Sequence, residues 1–221
     1  MWIRYYPASL LKGVVVVKRA WLSAAMVIGM AVLLMLVGTG NLLANTDYSD
    51  PEVIQTIITK LKNASPTEAE EIWNDLPQEA QNAVMEALQS IRVESSTTLA
   101  EPEASILGIG FCSSVTETVD AYSYLGAHLW TYGQTIDWCW DNDTVTDKSR
   151  FRWGHTHDPF WNFNGHIDSF ESGGVGQWSY RAYTQGSFQL CVPGAGCTGG
   201  ENPWVDMTVY GNGNHTEQSS R

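Results

Sequence analysis

The spacing of apolar positions changes twice along the chain and divides it into three regions. After a basic leader, residues 1–19, Ala20 to Val37 is a nearly unbroken apolar run, interrupted by Ser23 and Gly29. At about 1.5 Å per residue such a run makes about 27 Å of helix, close to a bilayer core. Arg4, Lys12, Lys18 and Arg19 precede it; Asp47, Asp50 and Glu52 follow, with no Lys or Arg until Lys60. The positive-inside rule puts the N-terminus in the cytoplasm and everything after the run outside. Residues 1–44 are therefore expected to be either a cleaved signal peptide, cut near Gly38/Gly40 or Ala44, or an N-terminal membrane anchor.

The second region, 45–92, has helical spacing. Asp50 is a good N-cap with Pro51 at the first helical position, ahead of Val53, Ile54, Ile57, Ile58 and Leu61. Ser65-Pro66-Thr67-Glu68 has the form of a capping box and leads into Ile72, Trp73 and Leu76. Pro77 restarts the helix, with Asp75 as a nearby cap, and Ala80, Val84, Ala87, Leu88 and Ile91 follow. Each helix has one apolar stripe and an acidic back, so the three need one another or a partner. Residues 93–107 are polar and aperiodic, and are expected to be a linker.

From 108 the period becomes two. His128, Trp130 and Tyr132 share a strand face, Gly133-Gln134 is expected to turn the chain, and Ile136, Trp138 and Trp140 share the next face. Asp141 to Thr144 is a further turn, and Gln185-Gly186 another. About eight short strands indicate an antiparallel β-sandwich or jelly-roll-like domain over 108–215, with residues 216–221 as a disordered tail. The fold class is mainly β, preceded by the transmembrane or signal helix and the short α-helical segment.

Charge narrows the partners. The formal net charge is −12, and all four basic residues before position 40 lie in the leader, where no acid occurs. A surface this acidic repels phosphates and anionic lipid head groups, so nucleic acid is excluded as a partner; membrane attachment is expected only through the N-terminal helix if it is uncleaved. Cys112, Cys139, Cys191 and Cys197 all follow the export signal, which suggests two disulfides in an oxidising compartment. Val-Pro-Gly-Ala-Gly between Cys191 and Cys197 is a natural turn, so these two are expected to pair and to leave Cys112 with Cys139. The protein is accordingly expected to be secreted or membrane-anchored, with its C-terminal domain extracytoplasmic.

Three features could carry chemistry. The densest aromatic stretch runs from Trp130 to Phe163. Indoles on a sheet face can hold the flat C–H face of a pyranose, and Trp138, Trp140, Trp153 and Trp161 are the candidate ligand-binding residues. Core packing competes for the same side chains. Strand parity sets a choice at Trp138-Cys139-Trp140: either the cystine faces inward and the indoles outward, or the reverse. His155-Thr156-His157, with His166 and Asp168, is a candidate metal set for zinc or copper; on a strand the two His would share a face. Asp141 to Asp147 mimics the start of a calcium loop but has Thr146 where glycine is needed and Arg152 at the twelfth place, so a turn is preferred.

No nucleophile elbow, phosphate loop or dinucleotide fingerprint is present, and no cofactor is implied. The carboxylates Glu117, Asp137, Glu171, Glu201 and Asp206 offer no obvious catalytic pair. The leading expectation is an exported, non-enzymatic recognition module for carbohydrate or cell-wall glycan. A small secreted hydrolase or a metal protein using His155/His157 is the runner-up. A structural or toxin-like protein with a helical pro-segment is the third.

Overall fold

The computed structural model describes residues 46–104 and 110–221. The segment 1–44, expected to be a signal or anchor, lies outside the described residues. Among the described residues no helix is long and apolar enough to cross a membrane.

Three helices lead: α1 (Pro51–Asn63), α2 (Pro66–Asp75) and α3 (Gln78–Leu88). The first two start as their sequences dictate. Asp50 accepts a hydrogen bond from the Glu52 N–H and Ser65 from the Glu68 N–H, each satisfying an orphan donor of the first turn. Asp75 is not a cap: it ends α2, and α3 begins after Pro77 without a side-chain cap. Gln81 takes over the junction, donating from Nε2 to the Trp73 and Leu76 carbonyls.

Strands follow as β1 (Ser90–Leu99), β2 (Glu103–Ala104), β3 (Phe111–Ser123), β4 (His128–Trp140), β5 (Val145–Thr156), β6 (Trp161–Gly173), β7 (Ser179–Val192), β8 (Gly196–Glu201), β9 (Trp204–Tyr210) and β10 (His215–Ser220). They form two antiparallel five-stranded sheets. The first has the order β1-β3-β4-β5, with β2 also on β3; the second has β10-β9-β7-β6, with β8 also on β7. Each sheet is a meander of chain neighbours in which one strand is broken into two, β1/β2 at the edge of the first and β8/β9 inside the second, so the crossover of a jelly roll is absent among the described residues. The inner faces carry the core, where Trp130 stacks on Phe188 at 4.6 Å and Trp138 on Trp140 at 5.3 Å.

Several sequence expectations are corrected. Residues 90–92, expected to end the helical segment, and 93–99, expected as linker, instead form β1, paired with β3 from Ser90↔Ser123 to Leu99↔Val115. Its pattern is polar because its outward side carries hydroxyls that pair across the ladder, as Ser96 does with Thr118 at 2.9 Å. Residues 216–220 are not a disordered tail but lie in β10, paired with β9. Neither Gly133 nor Gly186 turns the chain: β4 and β7 run straight through them. Both glycines make room for rings. A Cβ on Gly133 would fall 2.4 Å from Trp153 Cζ2, and one on Gly186 2.5 Å from Tyr132 Cε2.

The disulfides are Cys112–Cys139, joining β3 to β4, and Cys191–Cys197, joining β7 to β8. Two cystines are compatible with an oxidising extracytoplasmic environment. The parity choice falls on the indoles: Trp138 and Trp140 are buried, and the cystine between them faces the outer side of the sheet.

Helices and sheets share one core. Trp73 rests against Gly194, Trp161 Nε1 donates to the Leu88 carbonyl at 3.2 Å, and Lys62 Nζ lies 2.6 Å from the buried carboxylate of Asp158. The seams between the sheets are joined by polar side chains. At the β5/β6 seam Lys148 and Arg150 both reach Glu171. At the β1/β10 seam Glu117 accepts from Thr97 and Ser219 at 2.6 and 2.7 Å. Inward-pointing charges of this kind discourage strand addition at an exposed edge.

Candidate functional site

The four tryptophans expected to bind ligand separate into two groups. Trp138, Trp140 and Trp161 are 1%, 5% and 3% exposed, so their ring faces are spent on the core. Trp153 lies on the outer face of the first sheet. Its β5 neighbours Phe151 and His155 project from the same side, opposite Thr135, Gly133 and Thr131 of β4.

Gly133 fixes the attitude of the indole. Three atoms of the Trp153 six-membered ring, Cζ2, Cε2 and Cη2, lie 2.4–2.8 Å from where a Cβ would stand. The ring thus rests flat on the glycine and turns its other face outward. Phe151, 64% exposed, lies beside it in a near-parallel step, with centroids 5.5 Å apart and planes 18° apart. A shallow, open groove of about 710 Å³ runs over this step, bordered by Thr116, Thr131, Thr135 and His157. Thr116 and Thr135 share a hydrogen bond of 2.8 Å.

Histidines continue the surface. His157 stacks on His128 at 3.8 Å, His128 on Tyr122 at 4.9 Å, and His155 meets His157 edge-on at 4.6 Å. Arg92 covers Tyr122. Asp120 anchors the group: its Oδ1 accepts from Thr131 at 2.6 Å and lies 2.9 Å from His128 Nε2. Partial burial, and then the neighbouring His128 and His155, hold the His157 pKa below its ordinary 6.5, with Asp120 opposing them.

The proposed metal set is brought together only in part. His155 and His157 share a face, as their spacing required. His166 turns elsewhere: its Nδ1 lies 2.8 Å from the Tyr132 hydroxyl and its ring against Phe163. Asp168 pairs with Gln185 across the second sheet. His128 Nε2 and His157 Nε2 both turn to the Thr131 hydroxyl, at 3.2 and 2.8 Å. Among the described residues no group of three or more His, Cys, Asp or Glu side chains could hold a metal ion.

The carboxylates considered for hydrolysis are committed separately. Glu117 is buried at the β1/β10 seam, Asp137 accepts from Ser149 at 2.8 Å, and Asp206 pairs with Arg181 at 2.9 Å. Glu171 is held well below its ordinary value, at about 2, first by the hydrogen bond from Lys148 at 2.7 Å and further by Arg150. Asp141 accepts the Asp143 and Thr144 N–H groups at 3.0 and 2.8 Å, closing a turn around Asn142.

Sequence reasoning passed over Phe151, His128, Tyr122 and the threonines. The signal for the first was present: Phe151, Trp153, His155 and His157 recur at every second residue, which is one strand face. The others come from neighbouring strands, and only the register reveals them. Comparison with protein-family models, with curated proteins and with solved structures finds no match for this chain.

Proposed function

We propose that the protein is an exported, non-enzymatic recognition module that binds extracellular carbohydrate on the outer face of its first sheet. The observation that carries this reading is the attitude of Trp153, flat on Gly133 with its free face outward and Phe151 in a near-parallel step beside it. The axial C–H bonds of a pyranose carry partial positive charge and meet the negative face of an aromatic ring. Threonine hydroxyls and imidazoles at the rim supply donors and acceptors for sugar hydroxyls. The net charge of −12 favours a neutral glycan over an acidic one. The two cystines support a location outside the cytoplasm, secreted or held by the N-terminal segment.

The test is calorimetric titration of the full chain with neutral oligosaccharides and with cell-wall polysaccharide fragments. Trp153→Ala should weaken binding by about tenfold or more, equivalent to about 1.4 kcal/mol. Unchanged affinity in a folded Trp153→Ala variant rules out the platform.

A further inference from the structure

The second sheet has its own outward aromatic strip. Phe170 on β6, Tyr183 on β7 and Trp204 on β9 follow one another across three strands, with centroids 5.3 and 6.1 Å apart and planes 12° and 27° apart. Arg181 lies over Phe170 and is paired with Asp206. The strip runs into a cavity of about 690 Å³ at the corner where β8 gives way to β9, a size suited to a small ligand.

The lining of that cavity is specific in character. Trp204 supplies apolar surface, while Ser90, Gln185, Glu201 and Asn202 supply polar groups. Gln185 Nε2 donates to the Asn202 carbonyl at 3.1 Å and holds the corner. Arg221 stands 3.7 Å from Glu201 Oε1. The other oxygen, Oε2, is buried with no hydrogen-bond partner, an arrangement that native proteins rarely leave unexplained. Burial raises the Glu201 pKa, with Arg221 and Ser90 opposing it. One carboxyl beside one guanidinium leaves no surplus charge for a phosphate or an ammonium ligand. One indole with carboxamides, hydroxyls and a charge-balanced carboxyl–guanidinium pair suits an uncharged ring rich in hydroxyls.

We propose that this cavity and the Phe170–Tyr183–Trp204 strip form a second saccharide-binding site, the cavity taking one hexopyranose unit and the strip supporting the units that follow. The inference rests on the carbohydrate reading of the protein and extends it. The Phe170–Tyr183–Trp204 strip and the Trp153 platform lie on the outer faces of different sheets, so each molecule joins two glycan chains.

The experiment is calorimetric titration of the full chain with cellohexaose, chitohexaose and laminarihexaose. Trp153→Ala, Trp204→Ala and Glu201→Gln are compared, each checked for an unaltered melting transition. The near-isosteric Glu201→Gln guards against loss of folding in the tryptophan variant. The expected result is two sites per chain in the wild type, one in Trp153→Ala, and one in Trp204→Ala, with Glu201→Gln weakening the same site as Trp204→Ala. A single site that Trp153→Ala removes, and that Trp204→Ala and Glu201→Gln leave intact, overturns the second site while leaving the platform. A single site lost with Trp204→Ala and untouched by Trp153→Ala upholds the cavity and overturns the platform. No binding of any probe by the wild type overturns both.

Discussion

Gly133 and Gly186 each sit mid-strand beneath an aromatic ring, yet replacing them has different consequences. The ring over Gly133 belongs to Trp153, which lies on an outer face and can swing away. The ring over Gly186 belongs to Tyr132, which is fully buried and whose hydroxyl is held by Thr184 at 2.7 Å. Gly186→Ala should therefore cost about 1–3 kcal/mol through overpacking, measured by denaturant unfolding. Gly133→Ala should change stability far less but impair glycan binding as Trp153→Ala does. Equal destabilisation by the two would show that the Trp153 seat is structural. Both glycines stand beside glutamine in the chain, which is why they read as turns: a turn glycine and a ring seat look alike until the register shows what lies above.

The same register decides the fate of whole elements. Helices α1 and α2 were legible because caps are local, a side chain meeting an N–H two or three residues away. Strand β1 was not, because past Ile91 and Val93 nothing in it alternates in hydrophobicity and its partner is β3, which begins only at Phe111. The helical segment also looked like a candidate pro-segment, since its contacts with the sheets are long-range. Lys62 and Asp158 make one of them, with the Asp158 side chain only 1% exposed. Lys62→Met strands that carboxylate and should destabilise the protein by about 3 kcal/mol. The double variant Lys62→Met/Asp158→Asn should recover part of the loss, and a double variant no better than the single would argue against the pairing. The disulfides differ by the loops they close, of 27 and 6 residues. Removing Cys112–Cys139 should cost about 3.5 kcal/mol and removing Cys191–Cys197 about 2.2 kcal/mol on the loop-entropy model. The reverse order in chemical denaturation would count against that model here.

Across the whole molecule, acid acts in two windows. His157 and His166 are both depressed below 6.5, each mainly by burial. The folded chain then binds fewer protons than the unfolded chain as pH falls below 6.5, and stability falls with it. Glu171, held at about 2 instead of 4.5, adds a second loss as pH falls from 4.5 toward 2. Glu201 works the other way, because burial favours its neutral form in the fold. The melting temperature should drop between about pH 7.5 and about pH 5.5, and less so in His157→Gln/His166→Gln. An equal drop in that variant would place the first window elsewhere. At this scale the sequence conveyed a mainly β, disulfide-linked chain, because period two and cysteine spacing survive without coordinates. It could not convey which indoles were exposed: Trp138 and Trp153 occur in similar contexts, and only the packing of one sheet on the other separates them.

The order of strands bears on how the protein is made. Every strand of the first sheet precedes every strand of the second, so emergence from the N-terminus completes one meander before the other has begun. Neighbour-to-neighbour pairing favours quick assembly of each half. The first half, once formed, presents Trp130, Tyr132 and Trp138 with no opposing layer, and only the helices have already been synthesised. A released fragment ending near residue 160 would thus be a sticky intermediate. Such fragments should bind holding chaperones more strongly than chains that include β10.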